Sequence, residues 1–321
     1  MRVSNKRDST HEHSVIPLNI YDETAPLRSV VLGIAENNGP APSVESCYDP
    51  KSREHVLAGT YPKESDMIKE MNAVAAMLEK YGVTVYRPEI IADYNQIFSR
   101  DIGLVIDDIF IKSNILPDRM HELSALNYLI DQMPADKVIT PPKEVHVEGG
   151  DVIVWHDHLF IGAYYGEDYP DYITARTNLA AIEFFKETFP RKNVVSFNLA
   201  KSNTDAKNNA LHLDCCFQPV GIDKAVLFKG GFLIEEEYRY LRDFFGPDNV
   251  FELTRQEMYE MNSNFFSISP DVVISERNFT RLNAWLRAQG ITVEEVPYAE
   301  IAKQEGLLRC STLPLYRESK R

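Results

Sequence analysis

Short apolar runs alternate along the chain with longer segments of helical periodicity, and they do so in a fixed order. Residues 103–113 (GLVIDDIFIKS) predict two short strands around an Asp107–Asp108 turn, followed by a helix over about 118–132 and a strand at Val138–Ile139. The same β-β-α-β order returns three more times, with strand pairs within 151–162, 215–228 and 264–275, helices over 171–189, 234–245 and 278–289, and third strands at 193–197, 249–253 and 291–296.

A fifth unit has to be assembled from both ends of the chain. Residues 311–316 (STLPLY) are predicted to pair with residues 28–34 (RSVVLGI), followed by a helix over 63–81 and a strand over 83–88. Repeats of roughly 50 residues are typical of arrays and propellers. Joining the two termini in one sheet closes such an array and removes its exposed edges. The pattern therefore predicts an α/β fold in which five β-β-α-β units form a ring.

The first residues differ in composition from the rest of the chain. Residues 1–15 carry charge and little apolar content, so we expect a mobile N-terminal tail followed by a single domain over 16–321. No apolar stretch approaches the roughly 18 residues that a membrane span needs, and the N-terminus lacks the apolar core of a secretion signal. We therefore expect a cytoplasmic protein that does not contact membranes.

Charge and cysteine content narrow the expected partners. With 34 basic and 48 acidic residues the formal net charge is -14, which repels nucleic-acid phosphates and fits a cationic small substrate. The four cysteines, at positions 47, 215, 216 and 310, are too few and too unevenly spaced for a disulfide framework. We expect free thiols and no nucleic-acid partner.

A polar cluster that core packing does not require precedes the first strand of every unit. These clusters share one position in the repeat: Phe98–Asp101, Glu148–Asp151, His212–Asp214, Asn262–Asn264 and Cys310. Equivalent positions of a pseudo-symmetric ring meet near its axis. A thiol, an imidazole and several carboxylates are therefore predicted to converge, although they lie far apart in the sequence.

Taken singly, each cluster has a simpler explanation. A lone cysteine near the end of a chain is usually a small buried hydrophobe, and an isolated His-x-Asp is usually a structural hydrogen-bonded pair. The two glycines between Glu148 and Asp151 could supply positive φ in a turn. The shared register favours the functional interpretation over these.

Metal binding is an alternative use of the same side chains. The sequence has no Cys-x-x-Cys or His-x-x-x-His spacing of the kind that forms a preformed site. Adjacent strand residues point to opposite faces, so Cys215 and Cys216 are not expected to reach one ion together. We expect no metal, although ligand-forming side chains are present at His146, His156, His158, His212, Asp214, Cys215 and Cys216.

Five segments, in this order, carry a family resemblance: YDETAPLRSVVLG (21–33), QIFSRD (96–101), EGGDV (148–152), LHLD (211–214) and GLLRCST (306–312). Together they resemble the guanidino-group-modifying enzymes of the pentein fold, which include arginine deiminase, dimethylarginine dimethylaminohydrolase and glycine amidinotransferase. The resemblance covers nearly the whole chain after the tail. It implies a five-bladed α/β propeller, in agreement with the repeats.

The resemblance also implies roles for individual residues. Cys310 would be the nucleophile, His212 the general acid and base, and Glu148 the carboxylate that orients His212. Asp101 and Asp214 would hold the substrate guanidinium, with Asp151 just behind them. The implied contacts to the substrate α-carboxylate are Asn95, Arg119 and Arg176; a simpler explanation for the two arginines is surface charge on helices.

The implied reaction is hydrolysis of the guanidino group of arginine or a methylated or related arginine, through a covalent thiouronium and without a cofactor. The alternatives are amidino transfer to an amine and a non-catalytic binding ring. The sequence departs from deiminases at Ile102, where they often carry proline, and from dimethylarginine hydrolases at Arg100, where an acid is common. Asn95, Arg100 and the compact segment 110–120 favour hydrolysis. The expected partner is a small cationic guanidino compound, and a homodimer is compatible with these expectations.

Overall fold

The computed structural model describes residues 15–169 and 171–319. The predicted N-terminal tail therefore lies, apart from Val15, outside the described residues. Fifteen strands in the described residues form five sheets of three strands each. In every sheet the central strand pairs antiparallel with one neighbour and parallel with the other. The repeated strand order predicted from the sequence is confirmed.

The strands are named in chain order and grouped here by sheet. They are β15 (Thr312–Arg317), β1 (Leu27–Leu32) and β2 (Thr84–Tyr86); β3 (Gly103–Ile106), β4 (Ile109–Lys112) and β5 (Val138–Ile139); β6 (Val152–Trp155), β7 (His158–Ala163) and β8 (Asn193–Asn198); β9 (Phe217–Val220), β10 (Lys224–Leu227) and β11 (Val250–Glu252); and β12 (Phe266–Ser269), β13 (Val272–Glu276) and β14 (Thr292–Val296).

A helix connects the central strand of each sheet to its parallel neighbour, because a parallel pair needs a crossover. The helices are α1 (Pro50–Leu57), α2 (Glu64–Lys80), α3 (Asn127–Ile130), α4 (Leu179–Thr188), α5 (Glu235–Phe245), α6 (Arg255–Tyr259) and α7 (Thr280–Ala288). The two further helices are α1, which precedes α2 in the connection between β1 and β2, and α6, which lies between β11 and β12.

The helix predicted over 118–132 is wrong over most of its length. Two 3-10 turns, Pro117–Arg119 and Glu122–Leu126, occupy this segment before the single turn of α3. Prolines at 117 and 134 bound the segment, and the 3-10 turns bury the side chains of Arg119 and Glu122. Arg119 binds Glu122, three positions later, and also Asp101, so this segment directs polar side chains inwards in addition to its apolar ones.

The start of one helix and the presence of another also differ from the prediction. Helix α4 begins at Leu179 rather than at 171, because Asn178 caps it by accepting a hydrogen bond from the Ala181 amide. Helix α1 is absent from the prediction, since its sequence is polar and shows no apolar stripe. It begins after Asp49, whose carboxylate accepts from the Ser52 amide, with Pro50 in the first turn.

The two ends of the chain meet in one sheet, as predicted. Strand β1 pairs antiparallel with β15, with Val31 opposite Leu313 and Leu32 opposite Thr312. The buried Arg317 donates to the carbonyls of Ala25 and Ser267 at 2.7 and 2.8 Å. The C-terminal strand is thereby tied both to the N-terminal segment and to the neighbouring sheet.

Strand β1 is buried on both faces. Val30 and Leu32 belong to one group of packed apolar side chains, which includes residues of α2, β9 and β12. Val31 points the other way, into a second group built from β3, β4, β6, β7 and α4. This explains why the second half of β1, Val30–Leu32, is a continuous apolar run instead of an alternating one.

The connections that follow the central strands differ in length. They are long in the first three units, at 33–63, 113–126 and 164–178, and short in the last two. The long connections carry Tyr48, Arg119 and Arg176, which reach towards the polar clusters. In the described part of the chain, every helix is too short or too polar to cross a membrane.

Replacing Leu315 by alanine tests the closure through the termini. Leu315 in β15 is 0% exposed, so Leu315→Ala should lower the free energy of unfolding by about 2–5 kcal/mol. Leu57→Ala is the matched control, because Leu57 is 68% exposed and its loss should change stability by about 0.5 kcal/mol or less. Equal losses in urea denaturation would contradict the placement of β15.

Candidate active site

The thiol of Cys310 lies immediately before β15 and is almost fully buried. Its Sγ lies 3.2 Å from Nδ2 of Asn264, and 3.7 and 3.9 Å from the two carboxylate oxygens of Asp214. The Cys310 amide donates to Oδ1 of Asn264 at 3.0 Å. The thiol is therefore surrounded by polar groups, unlike a cysteine that only fills core space.

The imidazole of His212 lies near the thiol and beside two acidic residues. Its Nε2 lies 2.7 Å from Oε2 of Glu148, and its Nδ1 lies 3.8 Å from Oδ1 of Asp101. A ring nitrogen of His212, a carboxylate oxygen of Asp214 and Sγ of Cys310 all lie within 4.8 Å of one another. The structure thus brings together the polar clusters of different units that share one register in the sequence.

The two glycines of the Glu148–Asp151 cluster are required by close approach. Residues Gly149–Asp151 form a 3-10 turn, but neither glycine has a positive φ, so the explanation by positive φ is wrong. A Cβ at Gly150 would lie 2.7 Å from Cγ and Nδ1 of His212, and one at Gly149 would lie 2.1 Å from the Arg100 carbonyl oxygen. Glycine lets the backbone beside Glu148 pack directly against the imidazole.

Neighbouring carboxylates control the charge of His212. Burial opposes the imidazolium, but Asp101, the hydrogen bond to Glu148 and Asp151 outweigh it and raise the pKa of His212 to about 9. Burial also opposes the ionised form of Glu148, but Arg176 and His212 hold the pKa of that carboxyl well below its usual range. At neutral pH the pair is an imidazolium hydrogen-bonded to a carboxylate.

The ligand-free site disfavours the thiolate. Burial, followed by the charges of Asp214 and Asp101, raises the pKa of the Cys310 thiol well above its usual value, while hydrogen bonds with the Leu307 backbone and with Asn264 act in the opposite direction. A cation placed between Asp101 and Asp214 would offset both negative charges. The site is therefore arranged so that a bound cation favours the nucleophilic form of Cys310.

Asp101 and Asp214 each have one oxygen held by an arginine. Arg119 donates from Nη1 to Oδ2 of Asp101, and Arg309 donates from Nη1 to Oδ2 of Asp214, both at 2.8 Å. Oδ1 of Asp101 is buried without a hydrogen-bond partner, and Oδ1 of Asp214 lies near the Cys310 thiol. Two oriented acceptor oxygens therefore remain for the N–H groups of a guanidinium ligand.

Arg119 and Arg176 are buried, so their interpretation as surface charges is wrong. Arg176 donates from Nη1 to both oxygens of Glu148 at 3.0 and 3.3 Å, and from Nη2 to the Tyr48 carbonyl at 2.6 Å. Arg119 also binds both oxygens of Glu122, at 2.7 and 2.9 Å. A substrate carboxylate would have to share these donors with the internal acids, and its binding by the two arginines stays a prediction.

Asp151 and Asn95 lie at the edges of the cluster. Asp151 is fully buried and accepts from the Leu213 amide at 2.9 Å, behind His212. Asn95 donates to Gln304 at 2.6 Å and lines a cavity of about 160 Å³ whose wall includes Phe98 and Arg119. Arg119, which donates to Asp101, links this cavity to the cluster, and a role of Asn95 in binding substrate stays a prediction.

The sequence did not predict the ion pairs that the arginine next to Cys310 forms with two acids. Arg309, directly before Cys310, is fully buried and donates from Nη2 to Glu23 at 2.9 Å and to the Val152 carbonyl at 3.0 Å, besides its bond to Asp214. Glu23 lies in the YDETAPL segment, whose resemblance to known enzymes was the available signal. Nothing in the sequence pattern indicated that Arg309 points inwards.

Two residue sets could present ligand atoms to a metal ion among the described residues. They are His212 with Asp214 and Cys310, and Asp101 with Glu148 and His212. Arg309, Arg119 and Arg176 already pair with the acids of these sets. Of the other candidates, His146 and His158 pair with Asp168 and Asp157, each at 2.7 Å.

The raised pKa of His212 predicts a pH dependence of stability. The folded state holds this proton more tightly than the unfolded chain, so its contribution is fully present below pH 6.5 and is lost as the pH rises through about 9. The difference in free energy of unfolding between the wild type and His212→Gln should therefore shrink by an amount on the order of 3 kcal/mol between about pH 6 and pH 9.5. Parallel pH dependence of the two proteins in urea denaturation would show that the imidazole is not held as a cation.

The amino-acid sequence is similar to those of proteins that include enzymes of arginine and dimethylarginine hydrolysis. Residues 60–317 match the family model described as "N,N dimethylarginine dimethylhydrolase, eukaryotic". The uncharacterized protein YkgA of Bacillus subtilis is 26% identical over 223 residues, 69% of this chain and 70% of YkgA. Arginine deiminase of Streptococcus agalactiae is 28% identical over 207 residues, 54% of this chain and 47% of the deiminase, so the chain spans about half the length of that relative.

Solved structures share the fold over nearly the whole chain. The N-terminal domain of ArgZ, a cyanobacterial arginine dihydrolase, matches with a TM-score of 0.73 at 16% identity, covering 90% of this chain and 97% of that domain. SxtG, an amidinotransferase from Microseira wollei, matches with a TM-score of 0.75 at 17% identity, covering 95% and 98%. The family-model match, together with these likenesses, shows that the chain belongs to the eukaryotic N,N-dimethylarginine dimethylhydrolase family, within the pentein superfamily of guanidino-group-modifying enzymes.

Proposed function

We propose that this protein is a cysteine-dependent hydrolase that acts on the guanidino group of arginine or of a methylated or related arginine. The observation that carries the proposal is the buried set of Cys310 Sγ, His212 and Asp214 within 4.8 Å, with Glu148 hydrogen-bonded to the imidazole. We also propose that the five sheets are the blades of a closed α/β propeller whose axis passes through this set. The arginine deiminases among the relatives and the arginine dihydrolase fold support the substrate class.

Binding comes first in the proposed mechanism. The Oδ1 atoms of Asp101 and Asp214, which no arginine holds, accept hydrogen bonds from the substrate guanidinium and hold its central carbon beside Cys310. Because the guanidinium is a cation, it offsets the carboxylate charges that disfavour the thiolate. The thiol releases its proton to solvent as the substrate binds, because His212 already carries a proton, and the attacking thiolate forms only when a substrate is present.

The covalent step then exchanges a C–N bond for a C–S bond. The thiolate attacks the central carbon and forms a tetrahedral adduct, and His212, charged in the resting site, protonates the departing nitrogen. Ammonia or an amine leaves and an S-alkylthiouronium remains on Cys310. His212 then takes a proton from water, whose oxygen adds to the same carbon. The C–S bond breaks, its electron pair returns to sulfur, and the hydroxyl proton passes to the sulfur, which leaves a ureido product such as citrulline and restores the thiol.

Amidino transfer remains the second candidate. It shares the thiouronium and differs only in that an amine, rather than water, resolves it. The amidinotransferase SxtG shares the fold, but the fold says little about the acceptor. A non-catalytic ring is the third candidate, and the presence of nucleophile, imidazole and carboxylates in one buried set argues against it.

Removal of the nucleophile tests the proposed catalysis. Cys310→Ala should reduce turnover of guanidino substrates by several orders of magnitude without loss of folding, because no other group in the set can form the covalent intermediate. Cys216→Ala is the matched control, since this buried thiol contacts the Leu213 carbonyl and should be dispensable. Retention of more than a few per cent of activity in Cys310→Ala would refute the assignment.

Product analysis of the wild type separates the candidate reactions in the same experiment. The enzyme is incubated with arginine or dimethylarginine, with and without an added amine such as glycine, and the products are identified by mass. Citrulline with ammonia or a methylamine supports hydrolysis. Ornithine formed only with an amine acceptor would replace hydrolysis by transfer, and no turnover together with no labelling of Cys310 by a haloacetamidine would favour the binding ring.

The role of Arg176 in binding the α-carboxylate has its own test. If Arg176 binds this group, Arg176→Ala should raise KM for arginine far more than KM for agmatine, which lacks the carboxylate. If Arg176 only pairs with Glu148, both substrates should lose kcat equally. The ratio of kcat/KM for arginine to that for agmatine distinguishes the two, because any effect through Glu148 cancels in it.

A further inference from the structure

The polar cluster Asn262–Asn264 shares the register of the other four clusters, but the proposed mechanism gives it no role. It lies just before β12 and is buried, with Asn264 at 0% exposure. A buried amide needs hydrogen-bond partners. The partners of Asn264 show what this cluster contributes to the site.

Both ends of the Asn264 amide meet Cys310. Its Nδ2 lies 3.2 Å from Sγ, and its Oδ1 accepts from the Cys310 backbone amide at 3.0 Å. These contacts determine the orientation of the amide group, because a flipped side chain would set the NH₂ against the backbone N–H and the oxygen against sulfur. Nδ2 therefore points a donor at the reacting atom.

The backbone around Asn264 reinforces this placement. The Asn264 carbonyl accepts from the Arg309 amide at 3.1 Å, and the Asn264 amide donates to the Met261 carbonyl at 2.9 Å. The neighbouring Ser263 donates its hydroxyl to the Asp214 carbonyl at 2.8 Å. The turn before β12 thus holds the nucleophile and one guanidinium-binding residue in fixed relation.

We propose that Asn264 is a catalytic residue that donates a hydrogen bond to the Cys310 thiolate and holds it in the attacking position. This inference rests on the proposed function. A thiolate is a much stronger acceptor than a thiol or a thioether, so an N–H donor at this position stabilises the anion preferentially. Among the side chains within hydrogen-bond distance of Sγ, Asp214 disfavours the anion and Asn264 favours it.

The same donor serves both halves of the reaction. In the first half it stabilises the thiolate that attacks the guanidinium carbon. In the second half, the C–S bond of the hydrated thiouronium breaks and its electron pair goes to sulfur. The Nδ2–H group then donates a hydrogen bond to the thiolate that forms again. Loss of the donor should slow both steps while leaving the carboxylates that bind substrate in place.

The test measures the reactivity of Cys310 without any substrate. Wild type, Asn264→Ala, Asn264→Asp and Asn283→Ala are treated with iodoacetamide at about pH 8, and alkylation of Cys310 is followed by peptide mass spectrometry. Asn283 is the matched control, because it is also buried and its amide makes three hydrogen bonds: it accepts from the Ser275 hydroxyl and donates to the Glu276 carbonyl and to Glu295. The Asn283→Ala substitution should lower the stability of the protein without changing the alkylation rate of Cys310.

The expected result is alkylation about tenfold slower in Asn264→Ala, corresponding to a rise of about one unit in the thiol pKa. Asn264→Asp should be slower still, because it keeps the shape but replaces the donor by a negative charge; it also serves if the alanine variant does not fold. Alkylation of both variants at the wild-type rate would overturn the proposal and leave Asn264 a structural residue.

Steady-state kinetics supply a second readout. With a turned-over guanidino substrate, Asn264→Ala should lower kcat with little change in KM, and the limb of the kcat/KM profile that reports thiol ionisation should move to higher pH. A rise in KM alone would contradict the proposal. If wild type turned over no guanidino compound, the proposed function would fail, whereas the alkylation comparison would still decide the contact between Asn264 and the thiolate.

Discussion

The site depends on pairing three of its buried carboxylates with arginines. Glu148 pairs with Arg176, Asp101 with Arg119, and Asp214 with Arg309. A carboxylate without a partner at this depth would be protonated or would destabilise the fold by several kcal/mol. Arg309 and Asp214 belong to different units of the ring, so their ion pair joins two units. Arg119 and Arg176 lie on the connection after the central strand of the unit whose carboxylate they bind, so their ion pairs fix these connections as well as keeping the acids charged.

The pairing also sets how the site can respond to a ligand. Each arginine holds its acid, yet an oxygen of Asp101 stays without a hydrogen-bond partner and an oxygen of Asp214 faces the thiol. The remaining negative charge opposes ionisation of Cys310 and favours the charged form of His212. A cation in the site changes both at once. Substrate charge and nucleophile charge are therefore linked by the same carboxylates.

Close packing around the imidazole explains local features of the chain. Glycines at 149 and 150 let one backbone segment contact the His212 ring, where any Cβ would collide. The 3-10 turns at Pro117–Arg119 and Gly149–Asp151 turn short stretches of chain so that Arg119 and Asp151 face inwards. Regular helix or strand would send some of these side chains outwards. Irregular backbone thus appears where several polar side chains must converge.

The sequence by itself determined the β-β-α-β repeat, the pairing of the two ends of the chain and the shared register of the polar clusters, because apolar periodicity follows directly from which faces are buried. It also indicated that Cys310, His212, Glu148, Asp101 and Asp214 would meet, since equivalent positions of repeated units are brought together. Only the tertiary structure decided that Arg119 and Arg176 are buried against those acids, that Arg309 joins Asp214 to Glu23, and that Asn264 contacts the thiol. The contacts of Arg309 and Asn264 join different units, and those of Arg119 and Arg176 depend on the course of long irregular connections. Both are set by tertiary packing, and no local pattern encodes them.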